Sequence, residues 1–308
     1  MSRNIEFHHG RKKNDGKKPR LLLKNYLTAT PMSYPATTDW LSDVVNWPMY
    51  LNDRYGDCTC AAAGHMIQAW STYGQGSTAT ISNMDVLAAY EAVSGFDPND
   101  PSTDNGAVMQ EVLGHWRKNG IGGHKILAFA EVDVTNIAEV KAACYIFGTV
   151  YIGIDFPDSA MDQFNNEEPW EVVSGARVEG GHAINVGFYD TNTYKLVTWG
   201  AVQEMSQAFW DKYVEEAWVV IGPEWLNEGG LSPTGLNLHA LGDGLHSLTG
   251  DPNPFPEEPP VIPSDVTVSP DETLATFLRG WFKRHGGLPR HPILEAALIT
   301  WLSQQEDV

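Results

Sequence analysis

From Cys58 onward the chain places apolar residues at Ala62, Met66, Ala69 and Trp70, directly after the polar, glycine-marked loop Asn52-Asp-Arg-Tyr-Gly-Asp57. That spacing predicts a helix over 58–70. A second helix is expected over 83–93, with Asn83 or Ser82 as its cap, and a third over 108–119, with Val108, Val112 and Trp116 on one side and Gly120 as its stop. The period then changes. Residues 126–134 alternate as a strand does, 136–147 read as a short helix, and 149–156 read as a buried strand. Strands over 181–189 and 194–199 are joined by an Asp190-Thr-Asn-Thr turn, and a short helix over 209–216 leads to a last strand over 217–221. Helices first and antiparallel strands later predict an α+β fold, with two lobes packed across a cleft as one realisation.

The flanks read differently. Residues 25–50 carry Pro31, Pro35 and Pro48 and are expected to be irregular. Residues 222–250 are glycine-rich and poor in pattern, and Asp251 to Pro270 holds seven prolines, a semi-extended spacer. Beyond it, Ser269-Pro-Asp-Glu272 has capping-box order and opens a helical hairpin over 271–308 with an aromatic face. A piece this small needs outside support, so it is expected to dock on the body or on another subunit. The expected organisation is a basic arm (1–25), a main domain (26–250), a Pro-rich linker (251–270) and the C-terminal hairpin (271–308).

Charge sharpens this division. The net charge is −19, yet residues 1–24 hold eight of the 20 Lys and Arg and only two acids, which leaves the remaining chain at −25. Such a body repels nucleic acid and anionic membranes, whereas the arm could bind a polyanion or an acidic neighbour; the ordinary role of such an arm is a solubilising tail. Protein partners are expected through the arm and the hairpin, with nucleic acid expected at most through the arm. No apolar run approaches the ~18 residues of a membrane span, and the N-terminal residues lack a signal-peptide core. Synthesis in a cytoplasm is expected. Three cysteines (Cys58, Cys60, Cys144) suit reduced thiols better than a disulfide framework. Cys58-Thr-Cys60 has no second Cys/His pair at zinc spacing, so neither a metal nor a cofactor is expected.

The chemistry centres on Cys58. At a helix N-terminus the free N–H groups and the macrodipole favour a thiolate, which suits a nucleophile; a buried cysteine packing as a small hydrophobe is the bland alternative. A thiol nucleophile needs a base within reach, a group to orient that base, and oxyanion donors. Of ten histidines, His182 is the best placed, because it follows Gly180-Gly181 at the start of a strand, where glycines admit close approach. His65 lies two helical turns beyond Cys58 and is expected to pack.

These residues resemble a family. An amide six residues before a cysteine that opens a helix, a Gly181-His-Ala-Ile-Asn-Val-Gly-Phe188 strand and a later Thr198-Trp-Gly200 look like the papain-like cysteine peptidases in order and content. Asp104-Asn-Gly106 ahead of the third helix, the segment 137–155 and the strand Glu215–Ile221 extend the likeness, and Gly56-Asp-Cys-Thr59 is similar to uncharacterised bacterial and phage papain-like proteins. The resemblance implies a two-lobed fold, helical lobe first, with Cys58 as nucleophile, its backbone N–H and Asn52 as oxyanion donors, and His182 as base and then acid. Choosing Cys60 instead would put Arg54 in the amide's place. The chain also departs from the pattern. The family's orienting asparagine falls on Val197, and an aromatic residue after the nucleophile is Thr59 here. Thr198, Asn185 or Asp190 could substitute, although Thr198 points to the opposite face of a regular strand from Val197.

Two readings follow. One is a thiol hydrolase acting on a peptide, isopeptide or related amide bond of a peptide or protein substrate. The other is a catalytically silent papain-like module within a larger assembly such as a phage particle, with a virion as the corresponding location.

Overall fold

Fourteen successive residues of the first helix, Cys58 to Ser71, are buried, and small side chains make this possible. Ala61, Ala62, Ala63 and Gly64 let neighbouring segments approach the helix axis, and a Cβ on Gly64 would stand 2.6 Å from the Tyr50 ring. The protein is described by a computed structural model covering residues 9–18, 20–25, 34–227 and 232–234. The chain divides into two units, Met1–Pro254 and Phe255–Val308, and every described residue belongs to the first. The spacer and hairpin expected over 251–308 lie outside the described residues.

In chain order the elements are β1 (Arg11–Lys12), β2 (Thr38–Asp39), α1 (Cys58–Gln75), α2 (Asn83–Ser94), β3 (Ala107–Val108), α3 (Met109–Lys118), β4 (Ala128–Val132), α4 (Ile137–Phe147), β5 (Val150–Pro157), α5 (Asp158–Asn165), β6 (Val178–Tyr189), β7 (Thr193–Thr198), β8 (Ala201–Ser206), α6 (Gln207–Tyr213) and β9 (Val214–Ile221). The class is α+β, helices first, as expected. An antiparallel sheet runs in the order β4-β9-β5-β6-β7-β8, with β2 also on β6.

Local signals set most boundaries. Ser82, not Asn83, caps α2, in a capping box with Asp85. α1 continues to Gln75, where Gly76 in the left-handed conformation (φ 71°) ends it. The aromatic core joins the helices to the sheet: Trp70 stacks on Trp116 at 5.8 Å, and the Trp70 indole N–H donates to the Phe147 carbonyl at the end of α4.

Four segments differ from expectation. α5 and β8 carry no clear period in sequence; β8 is held by pairing with β7 along its whole length. The helix expected over 209–216 is Gln207–Tyr213, because Val214 and Glu216 pair with β5. The largest correction concerns the basic arm. Its residues Arg11–Lys12 form β1 and pair in parallel with Ala107–Val108, and Arg11 is buried, so this part is no solubilising tail.

Candidate active site

Cys58 is the first residue of α1 and is buried. Across from it, β6 presents His182, which pairs with Ile154 of β5. The backbone N–H of Ala183, the residue after His182, is directed at the Cys58 sulfur, which brings this part of β6 against the start of α1. His182 is buried in an aromatic box: its ring stacks on Trp199 at 4.5 Å and meets the edge of Phe156 at 5.7 Å. Trp199 itself takes φ 46°, a left-handed conformation rarely adopted by a bulky residue and one that concentrates at functional sites.

The group that meets the imidazole is Thr198. Its hydroxyl lies 2.8 Å from His182 Nε2, whereas Nδ1 has no hydrogen-bond partner among the described residues. Val197 is turned into a small apolar cluster with Leu41, Trp47 and Ala69. The other two substitutes stand elsewhere. Asp190 accepts the N–H groups of Asn192 and Thr193 in the hairpin turn, and Asn185 is buried with its amide unpaired. His65 packs, as expected, with Nε2 against the Pro48 carbonyl at 2.8 Å. Asn52 is buried and gives its two amide hydrogens to the Tyr55 carbonyl (3.1 Å) and Asp57 Oδ1 (3.0 Å), so neither is spare in this state. Burial pushes the Asp57 carboxyl well above the usual range.

The cleft is filled by the chain's own arm. Sequence reasoning missed this entirely. Gly10 lies against Gly56, and its carbonyl accepts the Ala107 N–H at 2.7 Å. Its N–H is directed at the Cys58 sulfur, so the Gly10 carbonyl is engaged away from it. The slot is walled by glycines. A Cβ on Gly106 would overlap the Gly10 carbonyl, one on Gly181 the Arg11 carbonyl, and one on Gly180 would stand 2.7 Å from the His9 Cβ. Filling the slot dries it. Burial pushes the Cys58 thiol up to about 12 and holds His182 well below its ordinary value, with His9 adding to the latter. The helix N-terminus was expected to favour a thiolate; in the filled cleft desolvation outweighs it. A thiol and an imidazole both held neutral in this way are at rest.

The floor of the slot hangs on Asp104. Both its carboxylate oxygens accept the Gly56 N–H (3.1 and 3.0 Å), Tyr90 donates its hydroxyl to Oδ1 at 2.5 Å, and the Gly106 N–H donates to the Tyr90 oxygen at 2.8 Å. One carboxylate thus sets the spacing of two opposite glycine walls.

No family model and no curated protein matches the chain. Solved structures do. Xylellain, a cysteine protease from Xylella fastidiosa, superposes with TM-score 0.53 at 15% identity, over 72% of this chain and 98% of that one. The fold is papain-like. Procathepsin B S9 from Trypanosoma congolense gives TM-score 0.50 at 11% identity, over 70% of this chain and 86% of that one. Among the described residues no helix is long and apolar enough to cross a membrane.

Proposed function

We propose that the papain-like cleft is that of a thiol hydrolase that cleaves a peptide, isopeptide or related amide bond, and that the arm-filled state is its resting form. The observation that carries this reading is how near the two groups stand along β6: the Cys58 sulfur beside the N–H of Ala183, the residue after His182, and His182 held through Nε2 by Thr198 with Nδ1 left over. With Nε2–H donating to Thr198, the Nδ1 lone pair takes the Cys58 proton. The thiolate attacks the carbonyl carbon, the C–N bond breaks, and the leaving amine takes the proton back from Nδ1. Water then cleaves the thioester. The Cys58 backbone N–H is one oxyanion donor, and Asn52 becomes the second by trading Asp57 for the substrate oxygen.

The test is covalent labelling with iodoacetamide or a peptidyl vinyl sulfone, in chains whose arm is displaced by Arg11→Glu. Labelling should vanish in Cys58→Ala and slow strongly in His182→Ala. Sluggish labelling indifferent to His182 sinks the hydrolase reading. Thr198→Val should slow labelling about tenfold, the scale of one hydrogen bond, and Thr198→Ser should restore it. An unchanged Thr198→Val rate removes Thr198 from the site.

The silent-module reading draws on one observation of its own: Val197 stands where the family has its orienting asparagine and packs as core. An assembly such as a phage particle would use the cleft as a socket for the arm.

A further inference from the structure

The arm brings a side chain into the cleft that the backbone contacts do not require. Arg11 continues from Gly10 over Cys58 into a recess of β5 and β9, where its side chain is 2% exposed. Its Nε meets Glu216 Oε1 at 2.8 Å, Nη1 lies 3.3 Å from the Ile154 carbonyl and 3.6 Å from Asp155 Oδ1, and Nη2 lies 3.9 Å from Glu215 Oε2. Lys13 adds 2.7 Å contacts to Asp155 and Glu215 at the exposed rim. Gly153 makes the room, since any Cβ there would overlap the guanidinium. Glu216 is also held by the Trp218 indole N–H at 3.1 Å, which aims its carboxylate.

We propose that this recess is an arginine-selecting subsite of the cleft, and that the peptides it takes carry arginine beside a glycine lying over Cys58. The inference rests on the reading that the Cys58–His182 cleft receives a peptide. It follows from what happens when the arm leaves. Three carboxylates that shared one guanidinium are then left facing each other, with Glu216 buried, and a buried charge without a partner is strongly unfavourable. A peptide that supplies a cation in the arm's place relieves this. A planar guanidinium matches three carboxylates and a carbonyl around one plane, where an ammonium meets fewer of them. The Gly56 wall excludes a side chain at the position before it, where a Cβ would overlap the Gly56 carbonyl. The body's −25 charge, against a basic arm, draws the same class of peptide from solution.

The test uses the full-length chain carrying Gly10→Ala, whose arm no longer fits its slot, and a fluorescein-labelled peptide of residues 7–14, Phe-His-His-Gly-Arg-Lys-Lys-Asn. Anisotropy should show binding that weakens about tenfold or more when the peptide's arginine is changed, Arg11→Gln, as for loss of a desolvated charge pair. Glu216→Gln in the protein should erase that preference. If Glu216→Gln lowers the melting temperature too far to assay, the more exposed pair Glu215→Gln and Asp155→Asn takes its place. Equal affinity for the two peptides, binding of neither, or a preference that survives these substitutions overturns the proposal. Binding needs no bond cleavage. Loss of arginine preference with His182-dependent labelling intact refutes the subsite alone, and intact preference with His182-indifferent labelling refutes the hydrolase reading alone.

Discussion

Gly10→Ala is expected to raise the alkylation rate of Cys58 by up to about a thousandfold at pH 8. A Cβ on Gly10 would overlap the Gly56 carbonyl, a backbone group that cannot step aside the way a side-chain tip can. Gly56 is itself fixed by Asp104 through its N–H, so the arm must yield rather than the wall. Once the arm is out, water reaches the sulfur. A thiol near 12 is ionised about one part in ten thousand at pH 8, and one at its ordinary value near 9 about one part in ten, which sets the ceiling on the gain. Iodoacetamide kinetics with mass-spectrometric assignment to Cys58 checks it, and a rate within twofold of the unsubstituted chain would show that the arm does not cover the sulfur in solution. Cys60 and Cys144 serve as internal references, since burial pushes both thiols up and neither is next to Gly10.

The same linkage fixes the pH dependence. The arm-bound thiol titrates near 12 and the released one near 9, so protonation favours the bound state. That advantage is fully present below about 9 and is lost as pH rises from there to about 12. In the unsubstituted chain alkylation should keep climbing through this window, whereas in Gly10→Ala it should flatten near 9.

What the sequence disclosed follows from how local each signal is. α1 to α4, β5, β6, β7 and β9 carry their own period, so Cys58 at a helix start and His182 on a strand were legible. The partner of His182 was not. Val197 and Thr198 are adjacent, and which of them meets the imidazole depends on the register of β7 against β6, which shifts between Val186 and Phe188. The arm was least legible. Its two-residue pairing with β3 leaves no periodicity, and eight basic residues in 24 look like a solvated tail until three carboxylates from β5 and β9 are seen around Arg11. Gly10, Gly56, Gly106 and Gly181 each look like ordinary loop or strand glycines alone; only the fold brings them around one segment.

Asp104→Ala is expected to cost about 3 kcal/mol of stability, from leaving a buried tyrosine hydroxyl and the Gly56 N–H without their charged acceptor. At roughly 2–4 °C per kcal/mol for a domain of this size, the melting temperature should fall by about 6–12 °C. Tyr90→Phe, which removes a donor to Asp104 and the acceptor of the Gly106 N–H but leaves the carboxylate on Gly56, should cost less, about 2 kcal/mol. The two substitutions separate support from chemistry. In Asp104→Ala the walls at Gly56 and Gly106 lose their common tie, so the slot loosens and Cys58 alkylation should rise toward the Gly10→Ala rate while stability falls. In Gly10→Ala alkylation rises with the Asp104 network intact, so its melting temperature should fall less. An Asp104→Ala chain that melts with the unsubstituted one would remove the carboxylate as the tie between the two walls. One that melts lower yet labels no faster would show that the arm is held by Arg11 and its carboxylates alone.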